Sequence, residues 1–229
     1  MIADRVAAVR ERIARAAARA GRAAGEVTLV AVSKTHPPEA VREAFAAGVR
    51  DVGENRVQEA EGKAAALADL KPGGLRWHLV GHLQSNKARK AAALFDWIHS
   101  VDGAAIGARL GEAARAEGRP LRALVQVDLA REETKFGLGE EELFGALESL
   151  RALPAVKLLG LMALPPYDED AERVRPYFRR LRALRDRAKE RGLLEGGELS
   201  MGMSHDLEVA VEEGATLVRV GTAIFGERH

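Results

Sequence analysis

The sequence predicts a single (β/α)8 TIM barrel, one α/β domain over residues 1–229 with an extra helix at the N-terminus. Three observations carry this expectation. Eight short apolar runs alternate with longer segments of helical periodicity. No breaker-rich linker divides the chain, so the alternation belongs to one domain with parallel strands. Polar residues concentrate just after the runs, the end of the strands where a barrel carries its site. An open doubly wound sheet is the alternative, but no GxGxxG follows the first run, which disfavours its dinucleotide-binding version.

Taken in order, Ile2, Val6, Val9, Ile13 and Ala17 recur at helical spacing, so the chain opens with an amphipathic helix that Gly21 and Gly25 end. The expected strands are 27–33, 49–54, 76–81, 96–100, 121–129, 156–162, 198–202 and 216–221; the second and seventh are short and partly polar. Between them, segments such as PPEAVREAFAAG, RVQEAEGKAAALADL and GAAIGARLGEAARAEG keep apolar residues on one helical face, and several close on glycine. In residues 177–192, YFRRLRALRDRAKERG, the apolar Phe178, Leu181, Leu184 and Ala188 fall at helical spacing. Its arginines are therefore expected to form a solvated face and not an RNA-binding surface. A second basic cluster, QSNKARK (84–90), either guides an anionic ligand or caps a helix.

Composition narrows the function. Apolar residues make up 47% of 229, enough for a sizeable core without staples. With no cysteine, disulfides, thiolate metal sites and cysteine nucleophiles are excluded, and a reducing, cytoplasmic setting is expected. Lys+Arg of 35 against Asp+Glu of 34 gives no field that would gather nucleic acid or an anionic membrane. The N-terminal segment carries charges throughout, so neither a signal peptide nor a membrane span is expected there.

The sharpest single feature is Lys34 in VTLVAVSKTHPP, at the lip of the first strand. An amine desolvated at a barrel mouth has its charged form disfavoured and can form a Schiff base with a carbonyl. Otherwise it snorkels to water beside a carboxylate such as Glu54. At the far end of the chain, TLVRVGTAIFG places Gly221 and Thr222 after the last strand, and SMGMSHDLEVA places Gly202, Ser204 and His205 after the seventh. Loops after strands seven and eight of such barrels often hold phosphate. Ser204 reads either as a phosphate ligand or as a helix N-cap. Arg219 lies between Val218 and Val220, so it faces the barrel interior, where it is either paired with a carboxylate such as Asp128 or Glu54 or donates to a ligand heteroatom.

The segments LVAVSKTHP, DVGENRVQEA, WHLVGHLQSNK, SVD, VQVDLAREETKFG, GLMALPP and LSMGMSHDLEVAVEEGATLVRVGTAIFGER run in order along nearly the whole chain. Together they resemble the pyridoxal-phosphate homeostasis proteins, the YggS/PROSC-type PLP-binding proteins built on a fold-type III barrel. His82 in GHLQSNK is a small departure, where many relatives carry proline. The resemblance implies that pyridoxal 5'-phosphate (PLP) is held as a Schiff base on Lys34. It further implies that Ser204, Gly221 and Thr222 hold the phosphate, that Arg219 faces the pyridine nitrogen, and that Asn55 lies near the ring. Its implied role is intracellular PLP homeostasis, with apo forms of PLP-dependent enzymes as partners.

Catalysis is left open, with a carrier or regulator expected. Arginine can only donate, so it favours an unprotonated ring nitrogen and a weak electron sink. A racemase-like enzyme is the first alternative; related racemases use a tyrosine on an additional domain, for which no room is expected after Val220. Without that domain's interface, a monomer is expected. Tyr167 reads as a rim aromatic and Tyr177 as part of a helix, while His36, His82 and His205 fall at strand ends as further candidates for a direct or a second-layer hydrogen-bonding role. A phosphosugar aldolase or isomerase using Lys34 without PLP is the remaining alternative.

Overall fold

The computed structural model describes residues 1–131 and 136–227. Residues 132–135 of the segment VQVDLAREETKFG, and Arg228 of the last segment, lie outside the described residues.

Each expected run matches a strand, with β4 and β6 reaching one residue beyond theirs: β1 (Thr28–Val32), β2 (Asp51–Glu54), β3 (Arg76–Leu79), β4 (Trp97–Val101), β5 (Leu121–Val127), β6 (Val156–Ala163), β7 (Glu198–Ser200) and β8 (Leu217–Val220). They pair in parallel in chain order, and β8 closes on β1 to complete the barrel. The helices α2 (Pro38–Ala46), α3 (Val57–Ala66), α4 (Ala88–Leu94), α5 (Ala104–Ala116), α6 (Glu140–Arg151), α7 (Arg175–Glu190) and α8 (Leu207–Glu212) each follow one strand. After β8 comes only the four-residue α9 (Thr222–Phe225). The N-terminal α1 (Ile2–Arg19) occupies the wall that α9 is too short to cover, packing on α8, α9 and α2. Val6, Val9, Ile13 and Ala17 are the buried face of α1, and Arg12 clamps it to Glu208 of α8 through bonds of 2.6 and 2.8 Å.

Strand alternation divides the interior into two cores. In β1, Ala31 joins the layer between barrel and helices, while Val30 and Val32 join Val80, Leu124, Met162 and Leu217 inside the barrel. The same period turns Val218 and Val220 outward, leaving Arg219 to the interior. The approach of β6 to β7 requires glycine at position 160, because a Cβ there would lie 1.9 Å from the Glu198 carbonyl oxygen.

In α7 the buried residues include Phe178, Leu181, Leu184 and Ala188, and burying each large side chain stabilises the fold by ~1.5–3 kcal/mol. The arginines within 177–192 lie off that buried stripe, with Arg179, Arg180 and Arg191 exposed as expected, and several also pair with acidic residues. Arg175 and Arg179 bond the buried Glu213 at 2.9 and 3.0 Å, Arg175 also reaches Glu212 at 2.7 Å, and Arg182 stands 3.3 Å from Glu213. One acidic pair after β7 therefore ties this row of cations to the neighbouring wall. Among the described residues, no helix is long and apolar enough to cross a membrane.

Candidate functional site

Lys34 sits in a turn directly after β1, and the backbone on both sides of it is fixed. The Ser33 N–H donates to Gly53 at 3.0 Å, and the Ser33 hydroxyl donates to Glu54 Oε1 at 2.5 Å. On the other side, the Thr35 N–H donates to Glu59 Oε1 at 2.5 Å. Lys63 of α3 joins both sides, donating to the Ser33 carbonyl at 2.7 Å, to Glu54 at 2.6 Å and to Glu59 at 2.9 Å. Thr35 itself takes φ of 67°, a left-handed conformation that β-branched residues avoid unless their surroundings impose it. Glu54 is thus the partner of Lys63 and Ser33. Burial raises the Glu54 carboxyl pKa above its ordinary value despite the bonds from Lys63 and Ser33.

All six residues expected at the cofactor, Lys34, Asn55, Ser204, Arg219, Gly221 and Thr222, line one cavity of about 480 Å³ at the C-terminal mouth of the barrel. Val32, Val80, Leu164 and Met203 supply apolar wall between them. The loops after β7 and β8 are joined: the Ala223 N–H, at the start of α9, donates to Ser204 Oγ at 3.3 Å. Ser204 is not the N-cap of α8; that position belongs to Asp206, whose carboxylate accepts the Met203 N–H at 2.6 Å. Gly202 takes φ of +91°, and a Cβ there would lie 2.5 Å from that of Ala210, so the β7 loop turns as tightly as it does only with glycine.

Arg219 is buried and bonds neither Asp128 nor Glu54. It donates to Ser200 Oγ at 2.6 Å and to the Ala163 carbonyl at 2.9 Å. Burial lowers its pKa to about 10, with the Asp206 charge opposing, so the guanidinium is charged at neutral pH. Asp128 instead accepts the N–H groups of Ala130 and Arg131 in its own loop.

Of the histidines singled out in the sequence, His82 and His205 line the cavity and His36 stacks on Phe225 at 5.2 Å. His82 lies 3.1 Å from Asp102 and stacks on Phe136 with ring centroids 3.6 Å apart. His205 bonds the Glu169 carbonyl at 3.0 Å and meets the exposed Tyr167 at 5.2 Å, which places Tyr167 on the rim as expected. Sequence reasoning missed the two histidines inside strands, His78 and His99, which are both fully buried. The signal was present: Trp77 and Leu79 point outward, so period two sends His78 inward. Gln84 and Lys87 of the QSNKARK cluster line a second cleft, of about 660 Å³, that shares Asn55, Gly81 and His82 with the first. Lys87 makes no side-chain bond to cap α4.

Residues 5–229 match the family model described as alanine racemase, N-terminal domain. Proteins named pyridoxal phosphate homeostasis protein are similar over nearly the whole chain. That of Pseudomonas aeruginosa is 49% identical, covering 99% of this chain and 96% of its own. That of Aquifex aeolicus is 46% identical, covering 98% and 97%. The structure of PipY from Synechococcus elongatus with PLP bound superposes with a TM-score of 0.87 at 44% identity, covering 99% of this chain and all (100%) of that one. Alanine racemase from Corynebacterium glutamicum shares the fold, with a TM-score of 0.71 at 20% identity, over 98% of this chain and 62% of its own.

Proposed function

Because the chain belongs to the pyridoxal phosphate homeostasis protein family, we propose that it binds PLP in the cavity at the C-terminal mouth of the barrel and serves intracellular PLP balance. The observation that carries this reading is the convergence of one amine, one buried guanidinium, two hydroxyls and a glycine turn on a single space of about 480 Å³. That donor set suits a small aldehyde with an anionic tail. On this reading Lys34 forms the Schiff base, Ser204, Gly221 and Thr222 hold the phosphate, Arg219 meets the ring nitrogen, and Asn55 lies beside the ring.

Bound PLP supplies an electron-withdrawing ring, and the protein sets how strongly that ring withdraws through the group facing its nitrogen. Arg219 is charged, so it donates to that nitrogen and leaves it unprotonated. The rigid turn around Lys34 holds the amine at the rim. Both features support a protein that captures and holds the cofactor over one that drives carbanion chemistry. The same reading has a monomer working in the cytoplasm and passing PLP to apo forms of PLP-dependent enzymes; the absence of cysteine supports a reducing compartment.

PLP added to the purified protein is expected to give a visible absorbance band, and borohydride to fix it on Lys34 in a peptide mass spectrum. Lys34→Ala is expected to lose the covalent link and retain weak binding through the phosphate turn. A protein that gains no band with PLP refutes the reading. Lys34→Ala binding as tightly as the parent refutes the Schiff base.

A further inference from the structure

A file of hydrogen-bonded side chains crosses the barrel interior from Arg219 to the opposite mouth. Arg219 Nη1 donates to Ser200 Oγ at 2.6 Å. Ser200 Oγ lies 2.8 Å from His99 Nδ1, and His99 Nε2 lies 2.9 Å from His78 Nδ1. His78 Nε2 lies 2.8 Å from Asp51 Oδ1. The Asp51 carboxylate also takes a two-pronged contact from Arg76, at 2.7 and 2.6 Å. Asp51, Arg76 and His78 line a pocket of about 370 Å³ among the starts of the strands. The file therefore begins where the N-terminal mouth opens and ends beside the cofactor cavity.

The two ends fix the direction of every bond between them. A guanidinium only donates and a carboxylate only accepts. Ser200 accepts from Arg219, so its proton goes to His99 Nδ1. His99 then carries its proton on Nε2 and gives it to His78 Nδ1. His78 likewise carries its proton on Nε2 and gives it to Asp51. One arrangement satisfies all the groups, with both imidazoles neutral. Burial lowers the pKa of both histidines, and for His99 the Arg219 charge adds to the effect, which fits the neutral forms.

We infer that Ser200, His99, His78 and Asp51 are positioning residues that hold Arg219 as a one-way donor beside the cofactor cavity, so that charge at the N-terminal mouth tunes the group bound at the C-terminal mouth. The inference rests on the proposed function in that the tuned group is PLP. Among the described residues, Ser200 supplies the one side chain that bonds Arg219, and the rest of the file gives the Ser200 proton its direction. Apolar filling of the same space is available, as Leu124, Met162 and Leu217 show, and a neutral apolar file would leave Arg219 without this acceptor.

Two measurements test it. In the apo protein, long-range proton–nitrogen correlation spectra of the histidine rings at neutral pH are expected to show His78 and His99 each as the single Nε2–H tautomer. Asp51→Asn, which can donate as well as accept, is expected to turn the His78 signal into a tautomer mixture. An Nδ1–H form of either ring in the parent overturns the relay. In the PLP-loaded protein, Ser200→Ala is expected to weaken PLP affinity roughly tenfold, move the visible band and shift the resonance of a nitrogen-15-labelled pyridine ring. Ser200→Thr, which keeps the hydroxyl, is expected to restore all three. Asp51→Asn, outside the cavity, is expected to move the ring resonance with circular dichroism unchanged. If Ser200→Ala and Asp51→Asn fold as the parent does and leave band, affinity and resonance at parent values, the tuning role is overturned. A parent that binds no PLP overturns the proposed function, and the tuning role with it, while the apo spectra judge the relay independently.

Discussion

Replacing Lys63 with methionine keeps an apolar stem on α3 and removes the ammonium that joins both sides of the Lys34 turn. Lys63 is 7% exposed and Glu54 0%, so their bond at 2.6 Å is a buried ion pair. Removing one partner of such a pair costs ~3–5 kcal/mol, chiefly because the other charge is left buried and unpaired. The bonds to Ser33 and Glu59 go with it. In a domain of this size the loss is expected to lower Tm by about 6–20 °C. Urea unfolding at neutral pH measures it directly. Burial already raises the Glu54 pKa, and loss of the ammonium raises it further. A carboxyl raised on folding binds its proton more tightly in the folded state. Its stability contribution is therefore full below the unfolded value, about 4.3, and declines as pH rises towards the folded value. The deficit of Lys63→Met is thus expected to shrink when unfolding is repeated near pH 5. Adding Glu54→Gln removes the stranded charge and is expected to recover part of the loss. A deficit below about 1 kcal/mol, or a double variant no better than the single one, refutes the claim that this pair pins the turn.

Burial alone would raise the Asp51 carboxyl; the bonds from Arg76 and His78 overcome it and hold the pKa at about 2. A depressed carboxylate contributes above its unfolded pKa, so about 2 kcal/mol of stability is expected to disappear as pH falls from about 4 to about 2. Acid unfolding of Asp51→Asn is expected to lack that component of the slope. Gly160→Ala would drive a Cβ into the Glu198 backbone and is expected to cost at least ~1–3 kcal/mol in urea, with β6 and β7 amides losing hydrogen-exchange protection first.

Apolar runs and helical spacing made the barrel readable residue by residue, including the brevity of β2 and β7. The site's rim was readable too, because Lys34, Ser204, Gly221 and Thr222 all follow strands, where barrels place polar groups. What stayed hidden lies inside the elements. His78, His99 and Ser200 sit in runs read for their apolar members, and nothing local tells that three separate strands bring them into one line. Lys63 lies in the alanine-rich α3, where a lysine normally reads as solvated; its reach into the barrel depends on how α3 packs behind β2. The ion pairs of the α7 arginines stayed hidden for a related reason, since helical spacing identifies the buried stripe and is silent about the acidic partners flanking it.

The helix that completes the barrel wall is made before any strand exists. On the ribosome, α1 emerges ahead of all eight strands, but α8 and α9, on which it rests, emerge only after β7 and β8. Its face of Val6, Val9 and Ile13 must stay exposed while the intervening units are synthesised. Docking then closes a loop spanning the whole barrel, so this wall forms through contacts of very high sequence separation. The rim that holds Gly221 and Thr222 gains its full support only then, which ties completion of the binding turn to the docking of α1.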